Sequence, residues 1–375
     1  MRILLITNYR EDRQKSMIRF GNLLASSIAD YGVVVSEAFP KSKMQRFCFG
    51  SKFKKWAGYI DKYFFFQKKI ESLLQLTRFD LIHIIDHSNS VYLPKISTLC
   101  STPKLITCHD LIAIRTAFEE FSMAPTTSPK GKKLQRWILN SLKQSDFYAC
   151  DSNQTQSDLI NKIPEIHSNS SVIHLGVQNH RSKKLTDTKS LGFDLKSTEY
   201  ALHVGNDSWY KNRKGVLESF IHTTQNSKNF DNKLILVGPT FQCHELNIQL
   251  KNWLKLNHKK IIFLPNVSEA ELQALYQHAK ILIFPSFIEG FGWPPLEAHS
   301  NNCNSITSKT GAIFELLGHN PYYIDPCDQK QLNNAVEHAL LLKHKKNLGA
   351  IIPDNKTCAK NYAYLYKQII AEKNS

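Results

Sequence analysis

The sequence predicts an α/β protein made of two doubly wound domains of parallel sheet. Three observations carry that reading. Short β-rich apolar runs alternate along the chain with helix-length mixed segments, the pattern of a parallel sheet covered on both faces. The runs are too many for one mononucleotide-type unit and suit two. And 375 residues are about two domains' worth at ~100–200 residues each. The first half contributes Ile3–Thr7, Val33–Ser36, Leu81–Ile85, Leu105–Thr107, Phe147–Cys150 and Val172–His174. The second contributes Ala201–Val204, Leu234–Val237, Ile261–Leu264 and Ile281–Phe284. Helix-length stretches such as Met17–Asp30, Lys132–Lys143, Val216–Thr224 and Glu269–Ala279 separate many of them. The segment from His180 to Thr198, polar and without apolar periodicity, reads as a linker. The domains are therefore expected at 1–179 and 180–354, facing a central cleft.

Composition bounds the class. At 42% apolar and 21% charged residues the chain is an ordinary globular one, not a disordered tail or a disulfide mini-protein. No apolar run approaches the ~18 residues of a membrane span. The opening segment reads as a buried first strand and not as a secretory leader. The eight cysteines are scattered without a CxxC pair, which suits reduced thiols in the cytoplasm better than disulfides or zinc. A net charge of +16 implies an anionic partner and says nothing of fold.

In open α/β sheets, ligands bind just beyond the carboxyl ends of strands. That rule selects Cys108-His109-Asp110, then Gly205-Asn206-Asp207 with Lys211-Asn212-Arg213-Lys214, then Pro285 through Gly292. A further turn, Ser308 to Ala312, precedes a helix and could offer backbone N–H groups to an anion. The sharpest local signal is Glu289-Gly290-Phe291-Gly292-Trp293-Pro294-Pro295-Leu296-Glu297. Two glycines let the backbone pass close to a ligand. The prolines suit a first helical turn, which places Glu297 near the helix's positive end. There an ionised carboxylate could accept two hydroxyls of a ribose, with Glu289 facing the reacting part of the same ligand. A surface turn followed by a capped helix is the other reading of these residues alone.

Pro285-Ser286 followed by Glu289-Gly290-Phe291-Gly292 and Glu297-Ala298 resembles the E-x7-E signature of retaining GT-B glycosyltransferases of family 4, the group 1 type. Other segments resemble that family in the same order. Lys211-Asn212 with Leu217 and Phe220 is similar to its phosphate-binding helix start, and Val172–Val177 to its interdomain strand and turn. Gly311, Glu315, Gly318, Asp325, Pro326 and Asp328 match its later donor-side segment, and Thr107–Leu111 its N-domain histidine motif. The resemblance runs from residue 1 to about residue 330, and the ordered set is more specific than any single motif.

The resemblance implies a GT-B architecture of two Rossmann-like domains, with a C-terminal helix from about residue 355 to 375 packing back on the first. It implies transfer of a hexose, with retention, from a UDP- or GDP-sugar to a glycan or lipid-linked acceptor in surface polysaccharide synthesis. Glu297 would hold the ribose, and Glu289 with the backbone of Phe291 and Gly292 the transferred sugar. Lys211 would neutralise the diphosphate, the largest electrostatic task where no metal is present. Gly205 and Gly311 would lie along the donor, Arg213 would stand in for an absent phosphate-binding arginine, and His109 would orient and polarise the sugar. No metal site and no cofactor beyond the donor substrate are expected. The chain departs from the family where 13–17 replaces a glycine-rich loop. It departs again at Asn206, where an arginine is usual, and at Asn302 and Asn304, where glycine and proline are. Asn tolerates left-handed backbone.

Residues 41–70 form a separate feature. Lysines and one arginine face a single acid, Asp61, and are interleaved with aromatics; Phe53, Trp56, Ile60 and Tyr63 fall on one helical stripe. This is either an ordinary helix with a solvated lysine face or a surface that docks on anionic lipid, which would put the protein on the inner face of the cytoplasmic membrane. An NAD enzyme is excluded by the absence of GxGxxG after the first strand. A nucleic-acid binder has no helix-turn-helix, RNP or zinc-finger pattern behind it. A sugar phosphorylase is the nearest enzymatic alternative on the same fold, and a non-catalytic basic protein the other.

Overall fold

Continuous apolar segments become strands in both halves of the computed structural model, which describes residues 1–375 apart from 13, 48–49, 178–190, 227–230, 240–247, 320, 342–349, 351 and 375. The chain divides into two compact units. The first comprises 1–122, 126–176 and 353–375, and the second 123–125 and 177–352. The division thus falls a few residues before the expected boundaries. Most of the expected linker, 180–190, lies outside the described residues, as do Arg13, Cys48 and Cys243.

The strands of the first unit are β1 (Arg2–Ile6), β2 (Val34–Ala38), β3 (Leu81–Ile84), β4 (Lys104–Cys108), β5 (Phe147–Cys150) and β6 (Ser170–Val172). Its helices are α1 (Lys15–Ser27), α2 (Ser51–Ile60), α3 (Phe66–Leu76), α4 (Leu93–Leu99), α5 (Ile112–Ala117), α6 (Pro129–Leu142) and α7 (Asn153–Lys162). The second unit holds β7 (Tyr200–Val204), β8 (Lys233–Val237), β9 (Ile261–Leu264), β10 (Ile281–Phe284), β11 (Ser305–Thr307) and β12 (Tyr322–Tyr323). Its helices are α8 (Arg213–Asn226), α9 (Ile248–Leu256), α10 (Glu269–His278), α11 (Trp293–Ser300), α12 (Ala312–Leu317) and α13 (Gln329–Leu341). The last helix, α14 (Asn355–Asn374), belongs to the first unit.

Among the described residues each unit carries a six-stranded, all-parallel sheet, ordered β2-β1-β3-β4-β5-β6 in the first and β12-β11-β10-β7-β8-β9 in the second. Strands with helices on both faces must be apolar throughout, and β3, β4 and β10 are buried at every residue. Two strands escaped the sequence reading. β11 (Ser-Ile-Thr) and β12 (Tyr-Tyr) are too short and too polar to show as apolar runs, and they exist because β10 offers a pairing edge. β6 lies two residues earlier than expected, paired with β5 from Tyr148 to Cys150.

The return of α14 to the first unit is held by a buried polar chain. The Tyr366 hydroxyl lies 2.6 Å from His83 Nδ1, His83 Nε2 lies 2.8 Å from Thr107 Oγ1, and that hydroxyl meets Tyr362 at 3.1 Å. Burial lowers the His83 pKa to about 3, so the ring stays neutral and links two hydroxyls. Each such bond contributes roughly 1 kcal/mol.

Candidate functional site

Chain order reverses between β1 and β3 in the first sheet and between β7 and β10 in the second. Loops at such a switch point diverge and leave a crevice at the carboxyl ends. The residues selected from sequence stand at these ends, and each unit presents its own set.

In the second unit, β7 leads through Gly205 to a short 3-10 turn, Trp209–Lys211. Asn212 follows in left-handed conformation (φ 50) and caps α8 by accepting the Gly215 N–H at 3.2 Å. The same side chain donates to the Pro326 carbonyl. This turn aims Lys211 back over the Phe284 ring, 4.9 Å from its centroid, to a carboxylate seventy-eight residues away. Lys211 Nζ donates to both oxygens of Glu289, at 2.7 and 3.0 Å. The pair is largely shielded, at 13% and 8% side-chain exposure.

The Glu289 loop is fixed at three points. The Phe287 N–H donates to the Tyr210 carbonyl, the Glu289 N–H to Thr310 Oγ1, and the Ser308 hydroxyl to the Ser286 carbonyl. Gly292 opens α11 at φ 89, where a Cβ would lie 2.4 Å from Ile313. Gly311 opens α12 at φ 57, where a Cβ would lie 2.7 Å from the Gly290 carbonyl. The close approach of these two loops, and not an open anion cradle, is what these glycines serve. The Ala312 N–H behind Gly311 already donates to the Phe291 carbonyl at 3.2 Å. Phe291 itself is buried against Trp293. Glu297 sits one turn into α11, half-buried, and its Oε2 accepts the Tyr276 hydroxyl at 3.1 Å. Tyr276, from α10, was not foreseen.

Arg213 is placed differently from the expectation. Its guanidinium is buried and donates to the carbonyls of Pro239, Gly205 and Val237. It ties the loop after β7 to the loop after β8. Gly205, whose N–H and carbonyl are both engaged in that knot, has ordinary space where a Cβ would stand. His203 on β7 was also unforeseen. It is fully buried, donates from Nδ1 to the Ile283 carbonyl, and is kept neutral (pKa about 3) by burial and by the nearby cations of Arg213 and Lys211. A histidine inside an apolar strand was the available signal. Asn302 stands at φ 57, the left-handed geometry anticipated for it.

In the first unit, His109 leaves β4 and is buried. Its Nδ1 lies 2.5 Å from Asp151 Oδ2, at the end of β5, and its Nε2 lies 2.7 Å from the Ile85 carbonyl, at the end of β3. Burial alone would lower the imidazole pKa. The Asp151 carboxylate, with Asp86 and the Ile85 carbonyl, outweighs it and raises the value to about 9. Burial pushes the Asp151 carboxyl up as well, against the opposing imidazole; the more basic ring keeps the proton of the pair. Beside it, Asp86 accepts from Asn8 Nδ2 and from the Ser88 N–H. Its pKa is lowered although burial opposes this, chiefly by His87 and His109. Asn8, Asp86 and Asp151 were missed from sequence because each is a lone polar residue after a strand. Asp110, next to His109, closes an Asx turn ahead of α5 by accepting the Ile112 N–H.

Among the described residues, no group of three His, Cys, Asp or Glu side chains is placed to hold a metal ion. The six described cysteines are free thiols.

Residues 186–352 match the family described as Glycosyl transferases group 1. The matched region takes in Lys211, Glu289, Glu297 and both loop glycines. Among curated proteins it is similar to the O-antigen chain mannosyltransferase RfbU of Salmonella typhimurium, 34% identical over 139 residues, 37% of this chain and 38% of that protein. The chain spans well under half the length of the curated relatives first in similarity. The fold resembles sucrose-phosphate synthase of Thermosynechococcus elongatus (TM-score 0.69, 14% identity, 100% and 97% of the two chains). It also resembles Anabaena Alr3699/HepE solved with UDP-glucose (TM-score 0.66, 16% identity, 100% and 99%). The chain has the GT-B fold, with two Rossmann-like α/β domains.

Proposed function

We propose that this group 1 transferase moves a hexose, with mannose favoured, from a UDP- or GDP-sugar to a glycan or lipid-linked acceptor in surface polysaccharide or lipopolysaccharide synthesis. The observation that carries this reading is the Lys211–Glu289 pair at the β7–β10 switch point, with Glu297 one turn into the helix that follows the Glu289 loop. Lys211 supplies a cation for a diphosphate leaving group without a metal. Glu289 supplies a carboxylate for sugar hydroxyls once Lys211 turns to phosphate. Glu297, one turn into α11, supplies the acceptor for ribose hydroxyls. Retention of configuration follows the E-x7-E resemblance, and no cofactor beyond the donor is invoked. The mannose preference rests on the similarity to RfbU; the neighbour bound to UDP-glucose supports a nucleotide-sugar donor. His109 orients and polarises by fixed position and charge, since both its ring nitrogens are engaged. The setting is the cytoplasm, at the inner face of a membrane that carries the acceptor.

A thermal-shift panel with UDP, GDP, ADP, CMP and NAD, repeated on Glu297→Ala, tests this. A nucleotide at 100 times its Kd stabilises by about 2.7 kcal/mol, several degrees in Tm. The expected result is a shift with UDP or GDP that disappears in the variant. A shift with NAD alone overturns the reading.

A further inference from the structure

We infer that the face formed by α2, the turn after it and the start of α6 docks on an anionic lipid bilayer. The sequence left residues 41–70 with two readings, and the structure separates them by where the single acid goes. Asp61 is fully buried in a π-helical turn, Asp61–Phe65, where it accepts the Tyr9 hydroxyl and the backbone N–H groups of Met44 and Gln45. The one negative charge of the segment is thus used as an internal anchor. A π turn holds an extra residue. Phe66 behind it enters the core while Phe64 stays out.

What remains outside is apolar and basic. Phe53 is 70% exposed, Trp56 59%, Phe64 52% and Ile60 43%. Scattered exposed apolar residues are normal, but these four follow one stripe of one helical segment. The stripe continues onto α6 through a chain of rings. Trp56 meets Tyr59 at 6.0 Å, Tyr59 stacks on Tyr63 at 5.7 Å, and Tyr63 meets Trp137 at 5.1 Å. Cations border the rings. Lys130 of α6 lies over Trp56 at 5.5 Å and Lys68 over Phe64 at 4.5 Å. Lys54, Lys55, Lys133 and Arg136 are exposed nearby in sequence on the same helices. Neither α2 nor α6 contains an acid.

Aromatic side chains ringed by lysines complement an anionic interface, and the exposed acids beside the patch, Glu119 and Asp12, are each paired with one of its lysines, Lys132 and Lys62. A cytosolic protein partner would be expected to meet mixed charges, and a nucleic acid would not require apolar rings at the centre of the patch. Among the described residues, no helix is long and apolar enough to cross a membrane; the surface is one for lying on the bilayer. The inference deepens the proposed function and takes its biological setting from it. Vesicle binding needs neither donor nor acceptor, so the two fail separately.

The full chain is floated with vesicles of phosphatidylcholine alone and with ~30% phosphatidylglycerol. Binding is expected only with the acidic lipid and should weaken as salt rises. The double variant Lys54→Glu, Lys130→Glu should lower partitioning at least ~30-fold, at roughly fivefold for each lysine lost and more for the reversed charge. Trp56→Ala with Phe64→Ala should lower it comparably, while far-UV circular dichroism and Tm stay those of the parent. Binding that ignores lipid charge, absent binding, or variants that bind as the parent overturns the inference. So does a stable dimer, or tight binding of a DNA or RNA oligonucleotide, that the same variants abolish while vesicle binding persists.

Discussion

Two strand-end ion pairs, one in each unit, are made of similar parts and leave different things open. Lys211 and Glu289 join the ends of β7 and β10, and the lysine reaches both oxygens of its partner on a flexible stem. His109 and Asp151 join the ends of β4 and β5, and the rigid ring gives its second nitrogen to the Ile85 carbonyl. Side-chain exposure is 13% and 8% in the first pair against 6% and 1% in the second. A lysine can exchange a carboxylate for a phosphate by rotating its stem. An imidazole held at both nitrogens must break a buried bond to do anything similar. The contrast separates a pair suited to exchange partners from one that fixes three strand ends.

The largest expected effect is on the fixed pair. Asp151→Ala leaves a buried cation unpaired and should cost about 3–5 kcal/mol of stability, read by urea or thermal unfolding. The parent should show the matching pH signature. A folded pKa raised from 6.5 to about 9 contributes stability that is fully present below about pH 6.5 and lost as pH rises through about 9. Asp151→Asn, which keeps the shape, should flatten that decline. A parent whose stability is level from pH 6.5 to 10 would mean that His109 is neutral.

Next in size is the exchanging pair. Lys211→Met should lower kcat/KM about 10²–10³-fold, as loss of one preorganised stabiliser of developing charge does. Fold stability should change less than in Asp151→Ala, because the Lys211–Glu289 pair is less completely buried than the His109–Asp151 pair. Equal losses of stability in the two variants would erase the distinction between the pairs.

The smallest effect sharpens the loops that carry the exchanging pair. Gly292→Ala places a Cβ 2.4 Å from Ile313 at φ 89 and should destabilise by about 1–3 kcal/mol. Gly205→Ala meets its neighbours at 3.5 Å or more and should leave Tm within a degree or two. A tolerated Gly292→Ala would mean that the two loops have room to separate.

Much of the fold was legible because buried parallel strands must be apolar without interruption. β1, β3, β4, β7, β8 and β10 announce themselves that way. β11 and β12 do not, since a two- or three-residue strand is defined by the edge it pairs with and not by its own composition. At the site, Glu289, Glu297 and Lys211 were legible as strand-end residues in a specific order. Asp151, Asp86, Asn8 and Tyr276 were not, because a single polar residue after a strand has no local pattern. Arg213 shows the converse: the side chain expected to face a phosphate holds backbone carbonyls.

Sequence by itself determined where the strands run, which loops leave their carboxyl ends and which residue types those loops carry. These depend on local apolar continuity and on glycine and proline at fixed places. Tertiary structure alone decided the partners. Lys211 finds Glu289 because β7 and β10 are neighbours at the point where chain order reverses. His109 finds Asp151 because β4 pairs with β5 with Cys108 opposite Cys150. Asp61 turns inward because loop amides and Tyr9 meet it there. Charge partners far apart in the chain are set by sheet order, and whether a charge faces water or the core is set by what packs against it.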